Sequence, residues 1–257
     1  MSTALAILVL DTIIALGQPV TAICPAEAGC MVATTSQEII KICDDTVVAR
    51  ISSVSGKILS NISDVAFSGL RIWISIPVLR KILSFTLNLD FCGEVDLDFY
   101  PDQIAISPLG DFFALDKSSG CILRFDEAGN VVQRLWLDEL GLSPQTSLIG
   151  AALPDRIRGF LMDAEFDESL SGEYEPLLFD QEERLLWCGE RIEIPENIEN
   201  IWFSGGKLFA LRGDTLDVFG AGKLISPIKP DEVVLSADNI YFSLDGRILT
   251  ARVKWHR

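Results

Sequence analysis

From Gln103 to Trp136 the chain alternates short apolar runs with polar breaks. Gln103-Ile104-Ala105-Ile106-Ser107-Pro108 predicts a strand, Leu109-Gly110-Asp111 a turn and Phe112–Asp116 a second strand. Lys117–Gly120 is a loop, Cys121–Asp126 a third strand, Glu127–Asn130 a turn and Val131–Trp136 a fourth strand. β-Branched and aromatic runs divided by Gly, Asp, Ser and Pro are strand and hairpin signals. Four such strands in about forty residues make one blade of a β-propeller.

The pattern recurs. Ile201–Leu211 and Asn239–Thr250 repeat the first hairpin, Val65–Ile74 is a tighter copy, and Thr21–Pro25 with Cys30–Thr34 a looser one. Leu148–Met162 is the least regular member, and Asp138–Leu142 reads as one short helical turn. Aligning Cys24, Ser68, Ser107, Ala152, Ser204 and Ser243 gives spacings of 39 to 52 residues. The turn between third and fourth strands falls at Asp11, Asp45, Gly93, Gly129, Gly189 and Gly222. At the N-terminus, Ala4–Leu10 and Thr12–Leu16 read as two strands around Asp11. After Ser243 there is room for two more strands, ending near Val253. Residues 1–17 and 233–257 together then complete one blade. The expectation is an all-β chain, a single domain over 1–257, with six four-stranded antiparallel blades closed by that composite blade. A pair of β-sandwiches predicts neither the regular interval nor the incomplete ends.

Over Asp102–Leu137 the sequence resembles NHL-repeat propellers. The residues that carry this are the Ile-rich strand, Gly110, the strand ending Ala114-Leu115-Asp116, the small polar loop, then Ile122-Leu123-Arg124-Phe125-Asp126 and Gly129. The likeness is partial around Ser204 and Ser243 and weak over 138–195. It implies a propeller. Propellers of that kind include protein-binding scaffolds, RNA-binding modules, lyases and lactonases, and fold alone selects none of them.

Composition narrows the choice. Of 257 residues 49% are hydrophobic, which excludes a disordered chain. The net charge of −16 argues against a nucleic-acid groove or docking on anionic lipid, since both need clustered Lys and Arg. The apolar N-terminus lacks a basic leader and is broken by Asp11, so it reads as closing strands rather than a targeting signal. No apolar run reaches the length of a membrane-spanning helix. The compartment stays open, with the cytoplasm favoured. The six cysteines contain no CxxC pair, which disfavours a zinc site. They read as small buried hydrophobes; the competing reading is a Cys24–Cys30 bridge across a hairpin.

Catalytic signatures are sparse. His256 is the only histidine and sits in a basic tail, and no Gly-x-Ser-x-Gly, Walker or dinucleotide motif occurs. Gly220-Ala221-Gly222 is a glycine turn, and Asn61-Ile62-Ser63 is a sequon by pattern only. Tryptophans Trp73, Trp136, Trp187 and Trp202 occupy strands and are expected to pack between blades. No cofactor is expected. The enzyme alternative is a metal-dependent hydrolase or lyase at the central channel, with Asp44, Asp64, Asp102, Asp116, Asn200 and Asp238 near strand ends as possible oxygen ligands. A sugar or small-ligand sensor at the channel mouth is a third reading.

Charge is concentrated in one place. Residues 163–199 hold thirteen acids against two bases, Arg184 and Arg191. Asp163-x-Glu165-x-Asp167 superficially resembles a calcium loop, but Glu168 stands where glycine is needed and Tyr174 where the bidentate glutamate belongs. The leading expectation is a non-enzymatic, monomeric scaffold that binds another protein with a basic surface. Asp163, Glu165, Asp167 and Glu168 would supply the acidic ridge, with Phe166 and Tyr174 as apolar anchors.

Overall fold

The computed structural model describes residues 5–7, 9–27, 29–161, 172–195, 197–204, 206–218, 222–225, 229–236 and 239–252. Two strands open the chain, β1 (Leu5–Ile7) and β2 (Val9–Ala15). Blade one holds β3 (Val20–Pro25), β4 (Cys30–Thr35), β5 (Ile39–Cys43) and β6 (Thr46–Ile51). A small hairpin, β7 (Ser53–Val54) and β8 (Lys57–Ile58), leads to blade two: β9 (Asp64–Ser68), β10 (Arg71–Ile76), β11 (Lys81–Thr86) and β12 (Phe91–Asp96). Blade three is β13 (Gln103–Ile106), β14 (Phe112–Asp116), β15 (Cys121–Phe125) and β16 (Val131–Trp136). Blade four is β17 (Ser147–Ala152), β18 (Glu175–Asp180), β19 (Leu185–Trp187) and β20 (Arg191–Glu193), with helix α1 (Pro154–Leu161) inserted after β17. Blade five is β21 (Asn200–Ser204), β22 (Lys207–Arg212), β23 (Thr215–Val218) and β24 (Gly222–Ile225). Blade six takes β25 (Glu232–Ser236), β26 (Asn239–Leu244) and β27 (Arg247–Arg252) from the C-terminal part and β2 from the N-terminal part.

The first strands touch in a closed cycle, β3–β9–β13–β17–β21–β25 and back to β3, so they line the axis of a six-bladed propeller. The composite closing blade is present, but its division differs from the sequence expectation. Three strands come from the C-terminal part and one from the N-terminal part. The aligned serine of blade six is Ser236, at the end of β25; Ser243 lies one strand later. Both strands carry three consecutive apolar residues between polar ones, and the chain pattern alone gives no reason to count from Glu232. The N-terminal apolar runs do form two strands, but not a hairpin. β1 pairs in parallel with β24 of blade five, and β2 pairs antiparallel with β27 of blade six. Asp11 is not a turn; it lies inside β2, where the register shifts between Leu10 and Thr12. Gly93 likewise lies within β12, after a turn over residues 87–90.

Burial follows the blade interfaces. Six apolar clusters separate the blades, one between each neighbouring pair. Removing this surface from water is the main stabilising term. Between blades two and three Trp73 meets Phe112 edge-to-face, with ring centroids 4.9 Å apart. That geometry sets the positive ring edge against the negative face of its neighbour. Trp187 and Trp202 are also buried between blades, whereas Trp136 is 37% exposed and lies beside Arg134.

Asp116 and Asp180 end the second strands of blades three and four and are almost wholly buried. Asp116 accepts hydrogen bonds from the Ser118 hydroxyl at 2.6 Å, the Ser119 hydroxyl at 2.8 Å and the Ser119 backbone at 3.0 Å. Asp180 accepts from the Ser143 backbone and hydroxyl, the Thr146 hydroxyl, and the Glu182 and Glu183 backbones. Burial pushes both carboxyls up, but these bonds outweigh it and hold both below the ordinary carboxylate range. A strand ending in Asp is therefore a device for fixing the next loop.

The cysteines correct the sequence expectation twice. Cys30 and Cys43, direct partners on β4 and β5, form a disulfide, with Cα atoms 4.2 Å apart. Cys24 is free and buried, and Cys92 is free and exposed.

Candidate functional site

The innermost strands enclose an axial cavity of about 340 Å³. Its walls are mostly apolar, with Ile23, Val65, Ile104, Leu148, Phe203 and Val233 each contributed by a different first strand. Strand polarity sorts the polar groups to its two ends. Asp64 and Glu232 are the first residues of β9 and β25, so they share one end. Ser204 closes β21, and Gly206, Arg156 of α1 and Tyr174 lie towards the other end.

The carboxyl end also stitches blade to blade. Asp64 accepts the Val65 N–H at 2.8 Å and the Ile104 N–H of the next blade at 2.7 Å. Gln103 Oε1 accepts the Leu148 N–H at 3.0 Å, again one blade on. Glu232 accepts the backbone N–H of Ile23 in blade one. Its other oxygen, Oε2, is buried and has no hydrogen-bond partner among the described residues. Burial pushes the Glu232 carboxyl up to about 8, and the charge of Asp64 adds to this. Burial likewise raises Asp64 to about 7, against the pull of its two backbone donors. The Cys24 thiol is pushed far up, first by burial and then by Asp64 and Glu232. A thiol in that state is a poor nucleophile at neutral pH.

A second cavity, of about 410 Å³, lies on blade four beside α1. Asp155, Glu173, Glu175 and Glu190 line it, together with Arg158. Arg158 pairs with Asp155 at 3.4 Å and with Glu190. Burial raises the Glu175 carboxyl, Arg124 opposes that, and Glu173 and Asp111 reinforce it.

The structure separates the residues that the sequence put forward. Asp163, Glu165, Phe166, Asp167 and Glu168 lie outside the described residues, as do Asp238 and His256. Tyr174 is half-buried and lines the axial cavity. Of the five proposed metal ligands that are described, only Asp64 lines the axis. Asp116 is consumed by its loop, Asp102 accepts the Lys117 backbone, Asn200 accepts the Ile201 backbone, and Asp44 sits in the β5–β6 turn with positive φ. Among the described residues the axial carboxylates are Asp64 and Glu232, short of the several ligands a hard cation takes. Glu27, Cys30 and Cys43 lie close enough to share an ion, but the two sulfurs are joined to each other. Glu232 and Cys24 were not anticipated. Finding Glu232 from sequence requires the correct strand count in blade six.

No family model matches the chain, and neither does any curated protein. Solved structures do. Virginiamycin B lyase from Staphylococcus aureus aligns over 95% of this chain and 99% of its own, with a TM-score of 0.61 and 13% identity. The β-propeller domain of a Myceliophteria thermophila protein aligns over 96% and 100%, with a TM-score of 0.57 and 12% identity. BamB from Moraxella catarrhalis aligns over 96% and 100%, with a TM-score of 0.55 and 14% identity. At such identities the likeness is one of fold. The chain is a six-bladed β-propeller. Its axis is apolar, with two carboxyls at one end whose pKa burial raises, and its irregularity is gathered in blade four.

Proposed function

We propose that the protein is a non-enzymatic scaffold that holds a basic partner protein on the face formed by the turns between first and second strands. The observation that carries this is the composition of that face. Leu70 and Leu109, at the tips of the first hairpins of blades two and three, are 78% and 77% exposed. The connection from β17 to β18 in blade four emerges on the same face, because it too joins a first strand to a second. It carries α1 and the acids Asp155 and Glu173, and in sequence Asp163, Glu165, Asp167 and Glu168. Exposed apolar tips beside a connection in which acids outnumber the two bases Arg156 and Arg158 suit a partner with an apolar anchor ringed by Lys and Arg. Phe166 belongs to this ridge, while Tyr174 serves the axial cavity. In this reading the propeller acts as a monomer, without nucleic acid or membrane insertion, within the repertoire that an NHL-like repeat allows.

The test is capture at low and high salt with three proteins: wild type, Leu70→Asp with Leu109→Asp, and a variant neutralising Asp163, Glu165, Asp167 and Glu168. The reading expects a partner whose recovery falls with salt and with either variant. Equal recovery by all three removes it.

A further inference from the structure

We propose that the axial cavity binds a small organic cation, an amine on an apolar body, with its ammonium against Glu232 and its hydrocarbon along the innermost strands. The site lies at the opposite mouth from Leu70 and Leu109, so it stands or falls separately from the docking face.

Three observations converge. The cavity is of ligand size, about 340 Å³, and its walls are largely aliphatic and aromatic. Glu232 lines it, and its Oε2 is buried without a hydrogen-bond partner among the described residues, which is costly unless something supplies a donor. Asp64 and Glu232 share this end, where the charge of Asp64 acts against that of Glu232, and both act on the Cys24 thiol further along β3. A neutral ligand offering an acceptor would satisfy one protonated carboxyl. An ammonium donates to Oε2 and also offsets the repulsion between Asp64 and Glu232. Asp64 is already held by two backbone N–H groups, which leaves Glu232 as the contact. The net charge of −16 favours the approach of cations. The apolar wall then rejects hydrated metal ions, which keep a polar shell, in favour of amines with a hydrocarbon tail.

Isothermal calorimetry with phenethylamine, and with phenethyl alcohol as the uncharged control, tests this on the intact chain. The amine is expected to bind at least ten-fold more tightly than the alcohol. Glu232→Gln should weaken the amine at least ten-fold and leave the alcohol unchanged. If that variant does not fold, the wild type decides by itself. Repeating the titration at pH 7 in two buffers of different ionisation enthalpy should show proton release, because the ammonium favours ionised Glu232. Equal binding of amine and alcohol, undiminished binding by folded Glu232→Gln, or the absence of both binding and proton release overturns the proposal.

Discussion

The phenol of Tyr241 donates to the carbonyl of Gly29 at 2.9 Å, although 212 residues separate them. Tyr241 lies on β26 of blade six and is fully buried; Gly29 lies in the first turn of blade one. With the Ser236 hydroxyl on the Glu27 carbonyl at 3.2 Å, it seals the joint where the ring closes. Tyr241→Phe keeps the packing and leaves the Gly29 carbonyl with the longer bond from the Asp44 N–H, at 3.4 Å. The expected loss is about 1 kcal/mol, read as a fall of a few degrees in thermal unfolding midpoint.

Stability should fall as pH rises from the acidic carboxylate range towards 8. Folding raises Glu232 from 4.5 to about 8 and Asp64 from 3.8 to about 7, so the folded state binds more protons across that window. A raised pKa gives a contribution that is complete below the unfolded value and lost as pH climbs through the folded one. Glu232→Gln should flatten this slope and raise the melting temperature at pH 8 above wild type. Thermal unfolding from pH 5 to 8 checks it; parallel curves for the two proteins contradict it.

The opposite sign applies to Asp180 and Asp116, whose carboxyls are held low. Their contribution is present above the ordinary range and is lost on acidification. Asp180→Ala strips acceptors from Ser143, Glu182 and Glu183 at once. It should cost about 3 kcal/mol or more, given the penalty for buried unpaired donors. Chemical denaturation at pH 7 measures this, and the loss below pH 4 should be shallower in the variant than in wild type, because Asp116 still contributes.

Gly129 and Gly110 give a matched pair. Both have positive φ, near +87° and +91°. A Cβ at Gly129 would sit 2.8 Å from the Asp96 carbonyl and 2.9 Å from Val95, whereas at Gly110 it meets nothing. Ala at Gly110 pays the conformational penalty alone, about 1 kcal/mol. Ala at Gly129 adds a collision with the neighbouring blade and should destabilise roughly twice as much or more.

Thiol titration should find one cysteine reactive in the native state, Cys92. Denaturation without reductant should release three more, Cys24, Cys121 and Cys188. Reduction should add the Cys30–Cys43 pair. Six thiols before reduction would contradict the bridge.

The fold was legible because its grammar is local. Gly, Asp and Ser breaks mark hairpins wherever they fall, and blade three, from Gln103 to Trp136, matches strand for strand. What failed was long-range. Whether Glu232–Ser236 or Asn239–Leu244 is the innermost strand of blade six depends on contacts with Ile23 and Trp202, not on neighbouring residues. The same holds for β1, whose pairing with β24 joins residues more than two hundred positions apart. The axial pair Asp64 and Glu232 was obscured for a related reason. A carboxylate at a strand start reads as a turn former until the ring brings it to the axis.

The division of blade six bears on how the chain folds. β2 precedes blades one to five in the sequence, and its sheet neighbour among the described residues, β27, follows them all. Blades one to four can assemble as they emerge during synthesis, each from its own hairpins. β2 must wait for β27 to be made, and its pairing carries a large loop-closure penalty. Slow folding and vulnerability to aggregation should therefore concentrate in this one late step. A chain truncated before Arg247 would leave β2 permanently without its sheet.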